Sequence, residues 1–180
     1  MKYAKAVIIA FLFIMLQGCA TPAAVNEMIP QHLTTLSAPR CNKILRVLEV
    51  TGGKKTNPMT FASIENEGFG QALLIALQDS GLFMKVGTEP AGDLALKAEI
   101  ISQELMPGLT MTSVLFVHYS LIDTKTSEDI WKENILSQYD APLREAFFGP
   151  TRAQRAHEGA VRNNLEQLIK KLAKVVENIH

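Results

Sequence analysis

Three long segments in the second half of the chain alternate apolar and polar residues, and this pattern constrains the fold more than any other feature. The segments are 94–105, 111–122 and 130–139, and short turns at 107–108 and 123–129 join them. A period of two is typical of strands that bury one face. The segments therefore predict an antiparallel meander. Its middle strand is apolar on both faces, so we expect that strand to be central in the sheet.

Two further segments have helical periodicity. Residues 64–80 place Phe69, Leu73 and Leu77 on one face, and Gly81 follows where a left-handed C-terminal cap fits. Residues 152–177 carry a longer apolar stripe. Because each helix has one stripe, both stripes can be buried together on one face of a sheet.

Short β-branched segments at 44–50 and 82–86 add two candidate strands. We therefore predict an α+β fold, namely a two-layer sandwich. In it a mainly antiparallel sheet of four to five strands carries two helices on one face. This single domain is expected to occupy residues 43–180.

The N-terminal segment 1–18 has the pattern of a secretory signal peptide: Lys2 and Lys5, then an apolar run, then small residues. The run covers residues 6–16, which is shorter than the stretch of about 20 that a spanning helix needs. Removing both lysines leaves 16 basic and 18 acidic residues, a formal charge of −2. Nucleic-acid binders usually present a basic face, so we expect no nucleic-acid partner.

The residues Leu16-Gln17-Gly18-Cys19 resemble a bacterial lipobox. The resemblance implies cleavage between Gly18 and Cys19 and attachment of acyl chains such as palmitate to Cys19, which would anchor the protein in a membrane. Ala20 stands where Asp would resemble the inner-membrane retention signal. The resemblance therefore implies the outer membrane, with the domain on the periplasmic side. Segment 19–42 is rich in proline and small residues, so we predict a lipidated flexible tether.

Motifs that would indicate catalysis or a bound metal or cofactor are incomplete in this sequence. Gly53-Lys54 lacks the remaining positions of a phosphate loop, and His157-Glu158 is followed by Val161 where a zinc-protease helix needs histidine. Alternation predicts that Glu99 and Glu104 lie on opposite faces of a strand, which argues against a carboxylate pair. We expect no cofactor, no metal and no enzymatic activity.

Four residues near the start of the last helix are candidates for contact with a partner. Phe147 and Phe148 lie in a loop beside Gly149-Pro150, where two adjacent phenylalanines are difficult to bury. Arg152 and Arg155 follow at a helix start and either bind an anionic partner or form a solvated face. With Cys19 lipidated, Cys41 has no intrachain partner, which leaves a buried thiol, a disulfide to a partner or an exposed thiol.

Residues 50–53, 57–58, 69–73 and 156–160 resemble a group of uncharacterised proteobacterial envelope lipoproteins. The predicted order of elements also resembles small envelope lipoproteins. These include the lipopolysaccharide-assembly lipoprotein, which sits inside an outer-membrane barrel, and the N-terminal domain of the curli-secretion lipoprotein. The lipid anchor, the incomplete catalytic motifs and a sheet face or edge open to a partner predict a non-enzymatic binding or assembly factor with a protein partner in the envelope. A carrier of a lipid or apolar ligand, and a cell-wall enzyme using His118 or His157, stay open as alternatives.

Overall fold

The computed structural model of the 180-residue chain describes residues 20–31, 41–57 and 59–178. Five strands form one mixed sheet in the order β2-β1-β3-β4-β5. The elements are α1 (Val25–Met28), β1 (Cys41–Val47), α2 (Asn66–Ser80), β2 (Phe83–Gly87), β3 (Leu94–Met106), β4 (Met111–Asp123), β5 (Asp129–Ala141) and α3 (Gly149–Val176). The α+β prediction is confirmed, and α2 and α3 pack against the same core.

The sheet is mixed because β1 runs parallel to both of its neighbours. Cys41 pairs with Phe83 of β2, and Leu45 pairs with Leu94 of β3. Helix α2 connects β1 to β2 as a crossover, and a crossover of this kind produces parallel strands. The expected "mainly antiparallel" sheet therefore holds only for β3, β4 and β5.

The three long strands form the predicted meander, with β4 in the middle. An irregularity between Ile100 and Ser102 shifts the register of β3 against β4. As a result Glu99 pairs with His118 and Glu104 pairs with Val114, which places both carboxylates on one face. The prediction of opposite faces was wrong, since simple alternation does not account for a bulge. Their partners are four residues apart on β4, which separates the pair by about 13 Å.

The core lies between the sheet and the two long helices. Phe69 and Leu73 of α2 share it with Leu165 and Leu168 of α3. A polar link crosses this core: the hydroxyl of buried Tyr119 donates to Asn164 Oδ1 at 2.7 Å. Asn164 Nδ2 in turn donates to the Ile135 carbonyl oxygen at 3.1 Å, so α3 is tied to β4 and β5.

The helix ends differ slightly from the predicted ones. Gly81 follows α2 with φ of 64°, the left-handed conformation predicted for it. Helix α3 begins at Gly149 rather than 152, because Pro150 suits the first helical turn. Among the described helices, none is long and apolar enough to cross a membrane.

Residues 20–31 differ from the flexible tether predicted for 19–42. They pack on the domain, with Ala23 and Met28 buried in the core and α1 lying against α2 and α3. Val25, Met28 and Ile29 recur at helical spacing, which gives this short segment one apolar face. We call residues 20–31 the N-terminal strap. The predicted signal peptide, Cys19 and residues 32–40 lie outside the described residues.

Candidate contact surface

Three loops place large apolar side chains on the surface at one end of the molecule. They are the loop before α2, the β3–β4 turn and the loop between β5 and α3. We call this set the crown; it consists of Met59, Phe61, Met106, Leu109, Leu143, Phe147 and Phe148. Phe147 is 87% exposed, Leu109 84% and Phe148 50%. The crown holds seven of the eleven large apolar residues that are exposed among the described residues.

Arg152 joins two of the crown's loops. It lies on the first turn of α3 and is only 7% exposed. Its Nη1 donates to the carbonyl oxygens of Ala146 and Phe147 at 3.1 and 3.4 Å, and its Nη2 donates to the Gly108 carbonyl oxygen at 3.1 Å. The guanidinium therefore fixes the loop that carries the two phenylalanines to the turn that carries Leu109.

The third loop is fixed to the same end by other contacts. A Cβ atom placed on Gly149 would lie 3.9 Å from Phe61 Cε1. The loop before α2 and the loop before α3 are therefore adjacent. The buried side-chain amide of Gln103 accepts from the Ile64 N–H at 2.8 Å and donates to the Ile64 carbonyl oxygen at 2.9 Å. This reciprocal pair attaches the end of the loop to β3.

His157 of α3 also holds this loop, from inside the protein. Its Nδ1 lies 2.8 Å from Ser113 Oγ, and both residues are buried. Burial lowers the pKa of His157 from 6.5 to about 4, while a hydrogen bond to the Ala62 backbone acts in the opposite direction. The ring is therefore neutral at pH 7. It connects β4, α3 and the loop that carries Phe61.

The N-terminal strap lies beside the first turns of α3. Thr21 Oγ1 donates to Gln154 Oε1 at 3.0 Å, and the Ala24 N–H donates to Glu158 Oε1 at 2.9 Å. Further along, Arg162 Nη1 donates to the Glu27 carbonyl oxygen at 2.7 Å. The strap therefore runs in the same direction as α3 and starts at the crown end.

A buried carboxylate organises this junction. Glu158 is 1% exposed, and Gln154 Nε2 and Arg155 Nη1 donate to it at 2.9 and 3.2 Å. Arg155 also forms an ion pair with Glu27 of the strap at 3.0 Å. The charges of Arg155 and Glu158 thus compensate each other where the strap meets α3.

The structure brings only two of the four predicted contact residues to the surface together. Phe147 and Phe148 are both in the crown. Arg152 is not part of a solvated face, because three backbone carbonyl oxygens draw its guanidinium inward. Arg155 is exposed but is engaged with Glu27 and Glu158. Cys41 is buried and free, which matches the first of its three alternatives.

The sequence pattern did not identify the other crown residues. Met59, Phe61 and Leu109 lie in turn-rich loops, and Met106 is the last residue of β3 beside such a turn, where periodicity carries little information. The sequence feature that points to these residues is the presence of large apolar side chains in segments whose turn-forming residues predict exposure. That signal alone does not show that three such loops meet.

No family model matches the chain, and no curated protein matches it. Its fold resembles that of solved structures. A Xanthomonas campestris protein of the DUF330 family model aligns with a TM-score of 0.61 and 11% identity, over 77% of this chain and 88% of that one. A Chlamydia trachomatis protein aligns with a TM-score of 0.50 and 12% identity, over 76% and 96%. A minor lipoprotein from Acinetobacter baumannii aligns with a TM-score of 0.48 and 11% identity, over 74% and 94%.

The sheet face opposite the helices is a second exposed surface. Leu136 of β5 and Ile101 of β3 are 61% and 51% exposed there. Helix side chains bind carbonyl oxygens on both edge strands. Gln78 donates to the Val86 carbonyl of β2, and Asn163 donates to the Gln138 carbonyl of β5.

The open pockets are lined by charged residues as well as apolar ones. One of ≈ 600 Å³ lies at the end of the sheet far from the crown, among Lys43, Asp93, Asp123 and Lys125. Another, of ≈ 620 Å³, lies where β1 ends and α2 begins and includes Arg46 and Glu49. A carrier of apolar ligands encloses most of the surface of its ligand, whereas both of these pockets are open to solvent, so they do not favour that alternative.

Proposed function

We propose that this chain is a lipid-anchored lipoprotein of the cell envelope that acts by binding, as a non-enzymatic assembly factor. The lipobox-like residues 16–19 support the anchor, and the protein partner would be an envelope complex such as an outer-membrane barrel, a secretion channel or a lipid transporter. Ala20 after Cys19 favours the outer membrane, with the domain on the periplasmic face.

The crown is the observation that carries the proposal. Large contiguous apolar patches are uncommon on isolated soluble proteins and usually mark a surface that another molecule covers. Arg152, His157 and Gln103 hold the three loops in place. A surface that is already ordered loses less conformational entropy on binding, which favours affinity.

The contact between Ser113 and His157 is the observation that could support the enzymatic alternative. A nucleophile and a base at 2.8 Å resemble the first two members of a catalytic triad. Both side chains are buried, however, and His157 is also engaged with the Ala62 backbone. The pair therefore fits a structural link better than a reaction centre that substrate must reach.

Affinity purification of the lipidated chain from solubilised membranes tests the proposal. The informative variant is Phe147→Ser/Phe148→Ser, which removes both phenylalanines from the crown. The matched control is Met84→Ser/Ile130→Ser, because these two side chains are 60% and 42% exposed and lie outside the crown. We expect the wild type and the control to recover the same envelope protein, and the Phe147/Phe148 variant to recover at least about tenfold less.

Recovery that is equal for all three chains would remove the crown from the binding surface. Hydrolysis of cell-wall fragments by the purified protein, lost in Ser113→Ala and in His157→Gln, would replace the proposal with the enzymatic alternative. Thermal unfolding of each variant is the control for folding, and we expect both double variants to melt close to the wild type because the changed side chains are exposed.

A further inference from the structure

We infer that the crown lies against the bilayer that holds the lipid on Cys19, so that Phe147, Phe148 and Leu109 enter the membrane interface. This inference rests on the proposed lipidation, and it adds the bilayer to the protein partner that we propose for the crown. Three observations carry it: where the strap begins, how firmly the strap is held, and which side chains surround that point.

The strap begins beside the crown. Thr21 binds Gln154, which lies five residues after the first residue of α3. Five helical residues correspond to about 7.5 Å along the axis. Phe147 and Phe148 immediately precede that helix, so the described chain starts within roughly two helical turns of the two phenylalanines.

The strap is fixed to the domain from its first described residue. Ala20 is 6% exposed, and the hydrogen bonds of Thr21 and Ala24 hold the next residues to α3. Cys19 is bonded directly to Ala20, and neighbouring Cα atoms are about 3.8 Å apart. Acyl chains on Cys19 would therefore enter the bilayer close to the crown, and the domain has little freedom to turn this end away.

The chemistry of the crown suits a membrane interface. Phenylalanine, leucine and methionine side chains insert to a depth of about 5–10 Å at the boundary between headgroups and acyl chains. Exposed Lys54 and Lys55 lie in the same loop as Phe61, and exposed Arg144 lies beside Leu143. Cations in this position can reach lipid phosphates. The loop between β5 and α3 also contains the acidic residue Glu145. Its carboxylate accepts a hydrogen bond from the Tyr139 hydroxyl at 3.0 Å.

This orientation puts the crown at the membrane surface, where a membrane-embedded envelope protein would contact it beside the lipid. Strands β3, β4 and β5 each have one end at the crown. With the crown on the bilayer, these strands extend away from the membrane. Ile101 and Leu136 of the uncovered sheet face would then lie farther from the bilayer than the crown.

The test uses the full lipidated chain in phosphatidylcholine/phosphatidylglycerol vesicles, with a tryptophan as the depth probe. The native tryptophan is first removed by Trp131→Phe, and the probe is introduced by Phe148→Trp or by Leu109→Trp in separate variants. The matched control is Met84→Trp, at an exposed position outside the crown. Lipids brominated on the acyl chains quench tryptophans that enter the bilayer.

We expect bromolipid to reduce the fluorescence of Phe148→Trp and Leu109→Trp at least about twofold and to leave Met84→Trp unchanged. Absence of quenching in both crown variants, with the chain still bound to vesicles, would overturn the inference. If binding of the envelope protein then still depends on Phe147 and Phe148, the crown is a protein-binding surface and the proposed function stands. If quenching occurs but no partner is recovered, the inference holds and the assembly role is lost.

Discussion

The Arg152 guanidinium donates a hydrogen bond to the carbonyl oxygen of Gly108, which lies 44 residues earlier in the chain. One residue is on the first turn of α3 and the other is in the β3–β4 turn. This contact connects the loop that carries Phe147 to the turn that carries Leu109, and these two crown residues are 87% and 84% exposed. The same side chain binds the backbone at Ala146 and Phe147, so a single buried arginine determines how these loops are arranged.

Replacing Arg152 with methionine should destabilise the protein by about 2–4 kcal/mol, because three backbone carbonyl oxygens lose a charged donor. Urea unfolding measures the change in free energy. Arg144→Met is the control, at an exposed position of the loop that Arg152 binds. It should lower the free energy of unfolding by less than about 0.5 kcal/mol. Equal effects of the two substitutions would show that the internal hydrogen bonds of Arg152 contribute little.

Two glycine-to-alanine substitutions in helices should change stability in opposite directions. A Cβ at Gly159 of α3 would overlap the ring of Tyr139, so Gly159→Ala should cost about 1–3 kcal/mol. A Cβ at Gly68 of α2 would make an ordinary contact with Met28 Cε at 3.5 Å. Gly68→Ala should therefore stabilise the protein by up to about 1 kcal/mol. Thermal unfolding of both variants checks the signs, and a stabilising Gly159→Ala would contradict this packing.

Stability should fall as the pH drops below 6.5, because His157 is buried in its neutral form. Its pKa is lowered to about 4 in the folded protein, so the unfolded chain binds the proton first. Between pH 6.5 and about pH 4, this difference of one bound proton lowers the free energy of unfolding by about 1.4 kcal/mol for each pH unit. Urea unfolding at pH 7, 6 and 5 measures the slope. In His157→Gln the slope should decrease by this amount, and an unchanged slope would assign the acid sensitivity to other groups.

Glu158→Ala should release the start of the strap, since the Ala24 N–H loses its buried acceptor. We expect hydrogen exchange at Ala24 to become at least about tenfold faster, while the sheet core exchanges as before. Glu166→Ala is the control, at a half-exposed position of the same helix where the carboxylate pairs only with Lys170 among the described residues. Exchange that is unaffected by Glu158→Ala would show that other contacts hold the strap.

Cys19→Ala should block lipidation and processing, so that the chain retains residues 1–18 and is no longer anchored by a lipid. Mass spectrometry of the mature N-terminus gives the result directly. Cys41→Ala is the control, because Cys41 is buried in the domain and should not affect processing. Cleavage at a site other than Gly18–Cys19 in the wild type would remove the basis of the proposed anchor.

The sequence alone determined the elements whose signal is local. Alternation indicated the β3–β4–β5 meander, helical spacing indicated α2 and α3, and Gly81 marked the end of α2. These features are readable because side-chain periods of 2 and 3.6 reflect which face of an element is buried. The placement of both helices on one face followed from having one apolar stripe per helix.

Tertiary structure decided which distant residues meet. A bulge near Ile100 changed the faces of Glu99 and Glu104, and the parallel pairing of β1 depended on the path of α2. The sequence left Arg152 as either an anion-binding residue or a solvated charge, whereas the structure surrounds its guanidinium with the carbonyl oxygens of Gly108, Ala146 and Phe147. The crown and the strap depend on contacts across 44 and 134 residues of sequence. Side-chain periodicity carries no information about contacts over such separations. Whether a polar or charged group is buried depends on the partners that the fold brings to it.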